Sequence, residues 1–171
     1  MEKTWLMRVV SDTSPLSCLA SIQRLDLLEI QFSSVSVPPA VRMEMLRHPV
    51  PKARDSLGQA VEKGWIVEDA ITGLLPMALL LNRTLDEGES QAISLAVNRR
   101  AELLLVDERE GRKAARGLGL RVTATLGILM RAKLEGSLDS LTQALEELRT
   151  NYAFSLAPEL VQQALREVGE L

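Results

Sequence analysis

Leu103-Leu104-Leu105-Val106-Asp107 is the stretch on which the fold turns. Its apolar side chains do not alternate with polar ones. A strand with one wet face would alternate, so this run reads as a strand buried on both faces, as parallel strands are. It stops on an acid. Before it, Asp86 to Arg99 carries Ala92, Ile93, Ala96 and Val97 at helical spacing. After it, Glu110 to Leu118 reads as another helix. The unit is therefore helix, buried strand, acid, helix.

Short apolar runs between helical stretches recur in both directions. Met7-Arg8-Val9-Val10-Ser11 ends at Asp12-Thr13-Ser14-Pro15, and Ser33-Ser34-Val35-Ser36-Val37 is stopped by Pro38-Pro39. Gly64 precedes Trp65-Ile66-Val67-Glu68, and Gly119 precedes Leu120-Arg121-Val122-Thr123. Helices are expected over Leu16 to Ile30 (one or two), Pro39 to Arg47, Pro51 to Lys63, Leu74 to Leu81 and Thr125 to Leu134. Proline is well placed at a first helical position, where its missing N–H is not needed. Two last helices carry apolar stripes at Leu138, Leu141, Leu145 and Leu148, and at Leu160, Val161, Ala164, Leu165 and Val168. Strands alternating with helices predict an α/β fold with a parallel sheet. The expected organisation is a single domain over 1–171, with 137–171 as a helical C-terminal extension.

Composition narrows the function classes. The chain has 171 residues, 46% of them hydrophobic and 25% charged, which excludes disorder as the main state. No apolar run reaches the roughly 18 residues a membrane span needs. Met1 to Val10 shows neither a sustained apolar core nor a small-residue cleavage site, so a cytoplasmic protein is expected. A single Cys18 and a single His48 exclude disulfide scaffolds and Cys/His metal sites. The net charge of −3 excludes a globally basic protein, though not a local basic patch. Walker and G-x-G-x-x-G motifs are absent, as is a nucleophile elbow.

Ligands of open α/β sheets bind beyond the carboxyl ends of the strands. Asp12 and Asp107 fall there. Glu89 shares its helix face with Ala92, Ile93, Ala96 and Val97, so it continues an inward-facing stripe. A carboxylate so aimed needs a partner or a cation. Glu44 shares a face with Val41, Met45 and His48. Four carboxylates from separate segments suit a hard divalent cation, Mg²⁺ or Mn²⁺, which takes oxygen ligands. Such a site activates water and polarises a phosphate ester, and the implied chemistry is phosphodiester hydrolysis. Ser14 could supply a hydroxyl to the metal shell or to a phosphate. From Arg109 to Lys133 the bases Arg109, Arg112, Lys113, Arg116, Arg121, Arg131 and Lys133 face one acid, Glu110. That patch, Arg109, Arg112 and Lys113 above all, suits a nucleic-acid backbone. Only five aromatic residues are present, so base-stacking platforms of the RRM or OB type are not expected.

Val10-Ser11-Asp12-Thr13-Ser14-Pro15-Leu16, Val37 to Glu44, Asp86 to Ile93 and Leu104 to Arg112, in that order and spacing, resemble the PIN-domain nucleases. The wording is nearest to a prokaryotic branch related to the VapC toxins of toxin–antitoxin pairs. The resemblance implies a three-layer α/β/α fold with a five-stranded parallel sheet in the order 3-2-1-4-5. It implies Mg²⁺- or Mn²⁺-dependent RNA cleavage by Asp12, Glu44, Glu89 and Asp107, with Glu108 as a fifth candidate ligand. It also implies an RNA substrate, an antitoxin partner and a homodimer. The C-terminal stripes exceed what one edge of a small sheet needs, so those helices or the Leu74 to Leu81 helix are expected to contribute apolar surface to the pair. Two departures stand out. The third acid is Glu where Asp is commoner, and Leu105 and Val106 stand where a hydroxyl residue often precedes the fourth acid. A non-catalytic module binding RNA or an antitoxin is the competing reading, and a hydrolase of small phosphate esters is a third.

Overall fold

The computed structural model describes residues 6–70 and 81–171. The strands are β1 (Val9–Ser11), β2 (Val35–Val37), β3 (Ile66–Glu68), β4 (Leu103–Leu105) and β5 (Val122–Thr123). They form one sheet in the order 3-2-1-4-5, and every neighbouring pair is parallel. The described helices are α1 (Thr13–Ser21), α2 (Asp26–Phe32), α3 (Pro39–Leu46), α4 (Pro51–Glu62), α5 (Glu87–Asn98), α6 (Arg109–Gly117), α7 (Thr125–Leu134), α8 (Leu141–Tyr152) and α9 (Pro158–Glu167). The expected helix from Leu74 to Leu81 lies, except for Leu81 itself, outside the described residues.

The unbroken apolar run in β4 is explained by what covers each face. Leu105 joins Val9, Val35, Val37 and Ile66 in a core completed by α1, α2, α4, α7, α8 and α9. Leu104 and Val106 join Val10 on the other face, under Ala92, Ile93, Leu95 and Ala96 of α5 and Ala115 of α6. Val9 pairs with Leu103 and Val10 with Leu104, so both central strands alternate in phase between the two cores. Near the second edge Val67 of β3 is 44% exposed, which marks where the second helical layer ends.

Three local expectations shift. The first helix starts at Thr13 rather than Leu16, which brings Pro15 inside it at the third position. The move is tolerated because none of the first four helical N–H groups has an intrahelical partner. The second helix runs on to Phe32, past Ile30. The C-terminal stripes do not stand free. Leu138, Leu141, Ala144, Leu148, Ala164 and Val168 are buried in the first core.

The chain end is clamped onto the start of α8. The Glu170 carboxylate accepts from the main-chain N–H of Leu141 (2.5 Å) and Thr142 (2.9 Å), and from the Thr142 hydroxyl (2.6 Å). Lys133 Nζ stands 3.5 Å away. Desolvation works against the charge, but these donors and Lys133 bring the Glu170 pKa down to about 2. A carboxyl depressed on folding adds stability above its unfolded pKa, and that stability is lost as pH falls through the folded value. Glu170→Gln should therefore lower stability at pH 7 by about 1.5–3 kcal/mol, the range for hydrogen bonds to a charged group. In urea titrations the gap to wild type should close as pH falls from about 5 towards 2. A gap independent of pH would exclude the charged clamp.

Candidate functional site

The site begins where β1 becomes α1. The Asp12 N–H still donates to Leu105 C=O (2.9 Å), so the backbone stays in the sheet ladder for one residue past the strand. Asp12 is the N-cap of α1, yet its carboxylate makes no capping bond. It is only 5% exposed. Burial pushes its pKa up to about 8; Asp86, Glu89 and Glu44 push the same way, against the Thr13 N–H. A buried carboxyl ringed by three acids holds its proton at neutral pH.

Glu89 and Asp86 are bound to each other through the start of α5. The Asp86 carboxylate accepts from the Glu89 N–H (2.8 Å), and Glu89 Oε2 accepts from the Asp86 N–H (3.3 Å), a capping box. Glu89 Oε1 is buried and has no partner among the described residues. Burial raises the Glu89 pKa, as do Asp86, Glu108 and Glu44, while the Asp86 N–H opposes the rise. Glu44 comes from α3, which packs on α5. The residue is exposed as a whole, and its carboxylate lies against Gly88 of α5. A Cβ placed on Gly88 would lie 2.7 Å from Glu44 Oε1 and 3.3 Å from Asp12 Oδ1. The glycine thus leaves the space that both carboxylates border.

Asp107 does something else. Its Oδ1 accepts from the Thr125 N–H (2.7 Å), and its Oδ2 from the Thr125 hydroxyl (2.7 Å) and the Cys18 thiol (3.9 Å). It therefore sits on the first residue of α7, where main-chain donors and the helix dipole favour an anion. Burial raises its pKa, and the bonds from Thr125, with Arg112 nearby, resist that rise. The expected quartet is divided accordingly. Asp12, Glu44 and Glu89 share one cluster, with Asp86 added, and Asp107 is held beside it. Among the described residues no three acid, His or Cys side chains surround one point closely enough to hold an ion as placed. Like charges repel, and Asp107 has found donors elsewhere.

Asp107 also borders a cavity of about 680 Å³. Ser14, Glu108, Arg109 and Arg112 line it, as do Tyr152 and Phe154 from the end of α8. The Arg112 guanidinium donates to the Asp107 main-chain carbonyl. Glu108 is the N-cap of α6 and makes no capping bond. Lys113 is exposed on α6 and does not line this cavity. The far end of the basic run is occupied elsewhere. Arg131 pairs with Glu135 (2.7 Å), and Lys133 with Glu170 (3.5 Å).

Four residues were not singled out in the sequence as parts of the site. The Asp86-x-x-Glu89 spacing is a capping-box signature and could have flagged Asp86. Thr125 supplies from another segment the hydroxyl absent at Leu105 and Val106. Tyr152 and Phe154 gave no local signal, because only the packing of α8 brings them here.

A family model described as a PIN domain matches residues 8–170, and the chain belongs to that family, whose fold is of the nuclease type. No curated protein matches the chain. No described helix is long and apolar enough to cross a membrane.

The residues fit a hard divalent cation on their own chemistry. The donors are all oxygens, one buried carboxylate oxygen lacks a partner, and Gly88 keeps a Cβ out of the space between two others. The same acids should destabilise the fold when nothing neutralises them. Asp12 holds its proton up to about pH 8 in the folded chain, whereas an unfolded Asp loses it near 3.8. Between those values the folded state binds more protons, so stability falls as pH rises. Asp12→Asn removes that loss. Its Tm gain over wild type, measured by calorimetry in chelator, should be absent near pH 4 and largest near pH 8. A gain that does not vary with pH would count against a buried, protonated Asp12.

Proposed function

We propose that the protein is a divalent-cation-dependent endoribonuclease using Mg²⁺ or Mn²⁺. In this reading Asp12, Glu44, Glu89 and Asp107 are the catalytic carboxylates and the metal ligands, with Glu108 as a fifth ligand. The observation that carries it is the buried acid cluster at the carboxyl end of β1. Asp12 is 5% exposed, faces three further acids, and forms no ion pair with Lys or Arg among the described residues. Such an arrangement is costly to fold unless it serves a cation.

A bound divalent cation would activate a water and polarise the phosphate of an ester. The chain's own contributions follow from its geometry. Asp12 would hold the cation as a carboxylate, so affinity would rise with pH. Glu89 is aimed by the capping box and brings its unpartnered Oε1. Arg109 and Arg112, on the cavity wall beside Asp107, are placed for phosphate oxygens, and Ser14 offers a hydroxyl there. Lys113, exposed on the same helix, adds to the field that attracts a polyanion. The proposal extends to a toxin acting with an antitoxin protein in the cytoplasm, and to a homodimer. The C-terminal stripes are only partly taken up by the core, and Leu160 of α9, with Met43, Leu46 and Val50, offers apolar surface for a second copy.

One observation favours a second reading, an RNA- or antitoxin-binding module that does not cut. Both oxygens of Asp107 are already engaged by Thr125.

Two variants separate the readings. Asp12→Asn should lower Mn²⁺-dependent cleavage of single-stranded RNA by roughly a hundredfold or more. Arg112→Ala should weaken RNA binding and reduce its salt slope by about 1, the signature of one lost phosphate contact. If wild type binds RNA but never cleaves it with either cation, the binding-module reading stands. Hydrolysis of a small phosphate ester without RNA binding would instead favour the third reading.

Gly88 tests the metal placement from another side. Gly88→Ala forces Glu44 Oε1 away from a Cβ that would lie 2.7 Å from it. Because a flexible side-chain end gives way, Tm should change little while Mn²⁺ affinity by calorimetry falls several-fold. Unchanged affinity would remove Glu44 from the ligand set.

A further inference from the structure

The cavity beside Asp107 has a composition that phosphate contacts do not use. Its volume, about 680 Å³, lies within the ~300–1,000 Å³ typical of sites for small organic groups. One side is charged: Arg109, Arg112, Glu108 and Asp107. The other is apolar and aromatic: Leu126, Met130, Tyr152, Phe154, Leu156 and Leu160. The aromatic side is built rigidly. Tyr152 stacks on the buried His48 ring, with centroids 6.1 Å apart and planes at 20°. His48 Nδ1 accepts from the Val50 N–H (3.1 Å), which fixes the ring. Ala153 closes α8 in the left-handed region (φ 52°), and Phe154 is placed by that turn. Both aromatics rest on the main core without being fully buried.

We propose that this cavity is a subsite for one unpaired nucleobase of a single-stranded RNA, with Phe154 as its stacking face and Arg109 and Arg112 on the adjoining phosphate. The charge pattern selects the occupant. An apolar slot alone would take many groups. On the charged wall both oxygens of Asp107 are engaged by Thr125, which leaves two guanidiniums against Glu108. The wall suits a ligand that is flat and apolar at one end and anionic at the other, which describes a nucleotide. A base paired in a duplex presents no free face to such a slot, so the subsite selects single strands. The inference rests on the nuclease reading for its class of substrate, and it adds how one nucleotide is held. Phe154 acts here as a binding residue.

The test uses the full chain in chelator, so that binding is measured apart from cleavage. A labelled single-stranded oligoribonucleotide is compared by fluorescence anisotropy with the same oligomer carrying abasic positions, and with its duplex. The intact single strand should bind about tenfold tighter than either, in line with stacking on one aromatic ring. Phe154→Ala should remove that advantage and leave abasic binding as it was. Phe154→Trp should keep it, and its added emission over wild type should be quenched by the intact oligomer and not by the abasic one. The Trp variant also answers the objection that Phe154→Ala merely loosens the fold. Equal binding of intact and abasic strands, or a loss on Phe154→Ala shared by both, overturns the subsite. Intact and abasic strands both indifferent to either Phe154 variant would leave the slot to a protein segment, which also overturns it. A protein that binds with base selectivity yet never cleaves with Mg²⁺ or Mn²⁺ would sink the nuclease reading and keep the subsite. One that cleaves without base selectivity would do the reverse.

Discussion

A carboxylate buried at the end of the central strand is the constraint around which the rest of this molecule is arranged. Asp12 lies where β1 leaves the sheet, with its N–H still committed to Leu105. Parallel topology brings the first residues of helices that follow strands to this same edge. α1 begins at Thr13, α6 at Arg109 and α7 at Thr125. The start of α5 reaches the same place, since Asp86 and Glu89 both act on Asp12. Thr13, Glu89 and Thr125, in the first turns of α1, α5 and α7, each give a main-chain N–H to one of the acids. Helix termini thus stabilise in part a charge density that no Lys or Arg of the described residues neutralises by direct pairing. The compensation is incomplete, as the elevated pKa of Asp12 records.

Much of this was legible because it depends on local pattern. The unbroken Leu103 to Val106 run announced a strand covered on both faces, and Leu104 and Leu105 do enter opposite cores. Periodicity placed Glu89 on the buried face of its helix, where it lies 5% exposed. α1 starts three residues before the expected Leu16 because Pro15 is compatible with any position in the first turn, so its presence alone does not fix the register. The partner of Asp107 was hidden for a different reason. A strand-end acid can aim into the crevice or cap a neighbouring helix. The choice depends on how far the start of α7, a non-adjacent element, stands from it. Thr125 lies close enough to engage both carboxylate oxygens.

The aromatic residues show the limit of composition as an argument. A scarcity of aromatics across 171 residues argues against a broad stacking platform. Scarcity says nothing about where the few land. Tyr152 and Phe154 lie more than forty positions after Asp107 in the chain, yet they line the same cavity. They arrive there because α8 packs against α1 and α7, burying Leu141, Ala144 and Leu148. The C-terminal helices are thus part of the core and of the cavity wall, and the Glu170 clamp on α8 helps to hold that wall in place.

Asp107 joins the acid cluster to the cavity, and its support is shared. Its carboxylate is tied to Thr125, and its main-chain carbonyl accepts from Arg112, a residue of the cavity wall. Arg112 thus contacts both the cavity and the peptide that carries Asp107. Removing Arg112 frees that carbonyl as well as deleting a cation. The two effects differ in their dependence on salt. A lost phosphate contact weakens as counterions compete, whereas a lost hydrogen bond to a partly buried carbonyl is nearly indifferent to them. The salt slope, and not the size of the defect, is accordingly what separates the electrostatic role of Arg112 from its structural one.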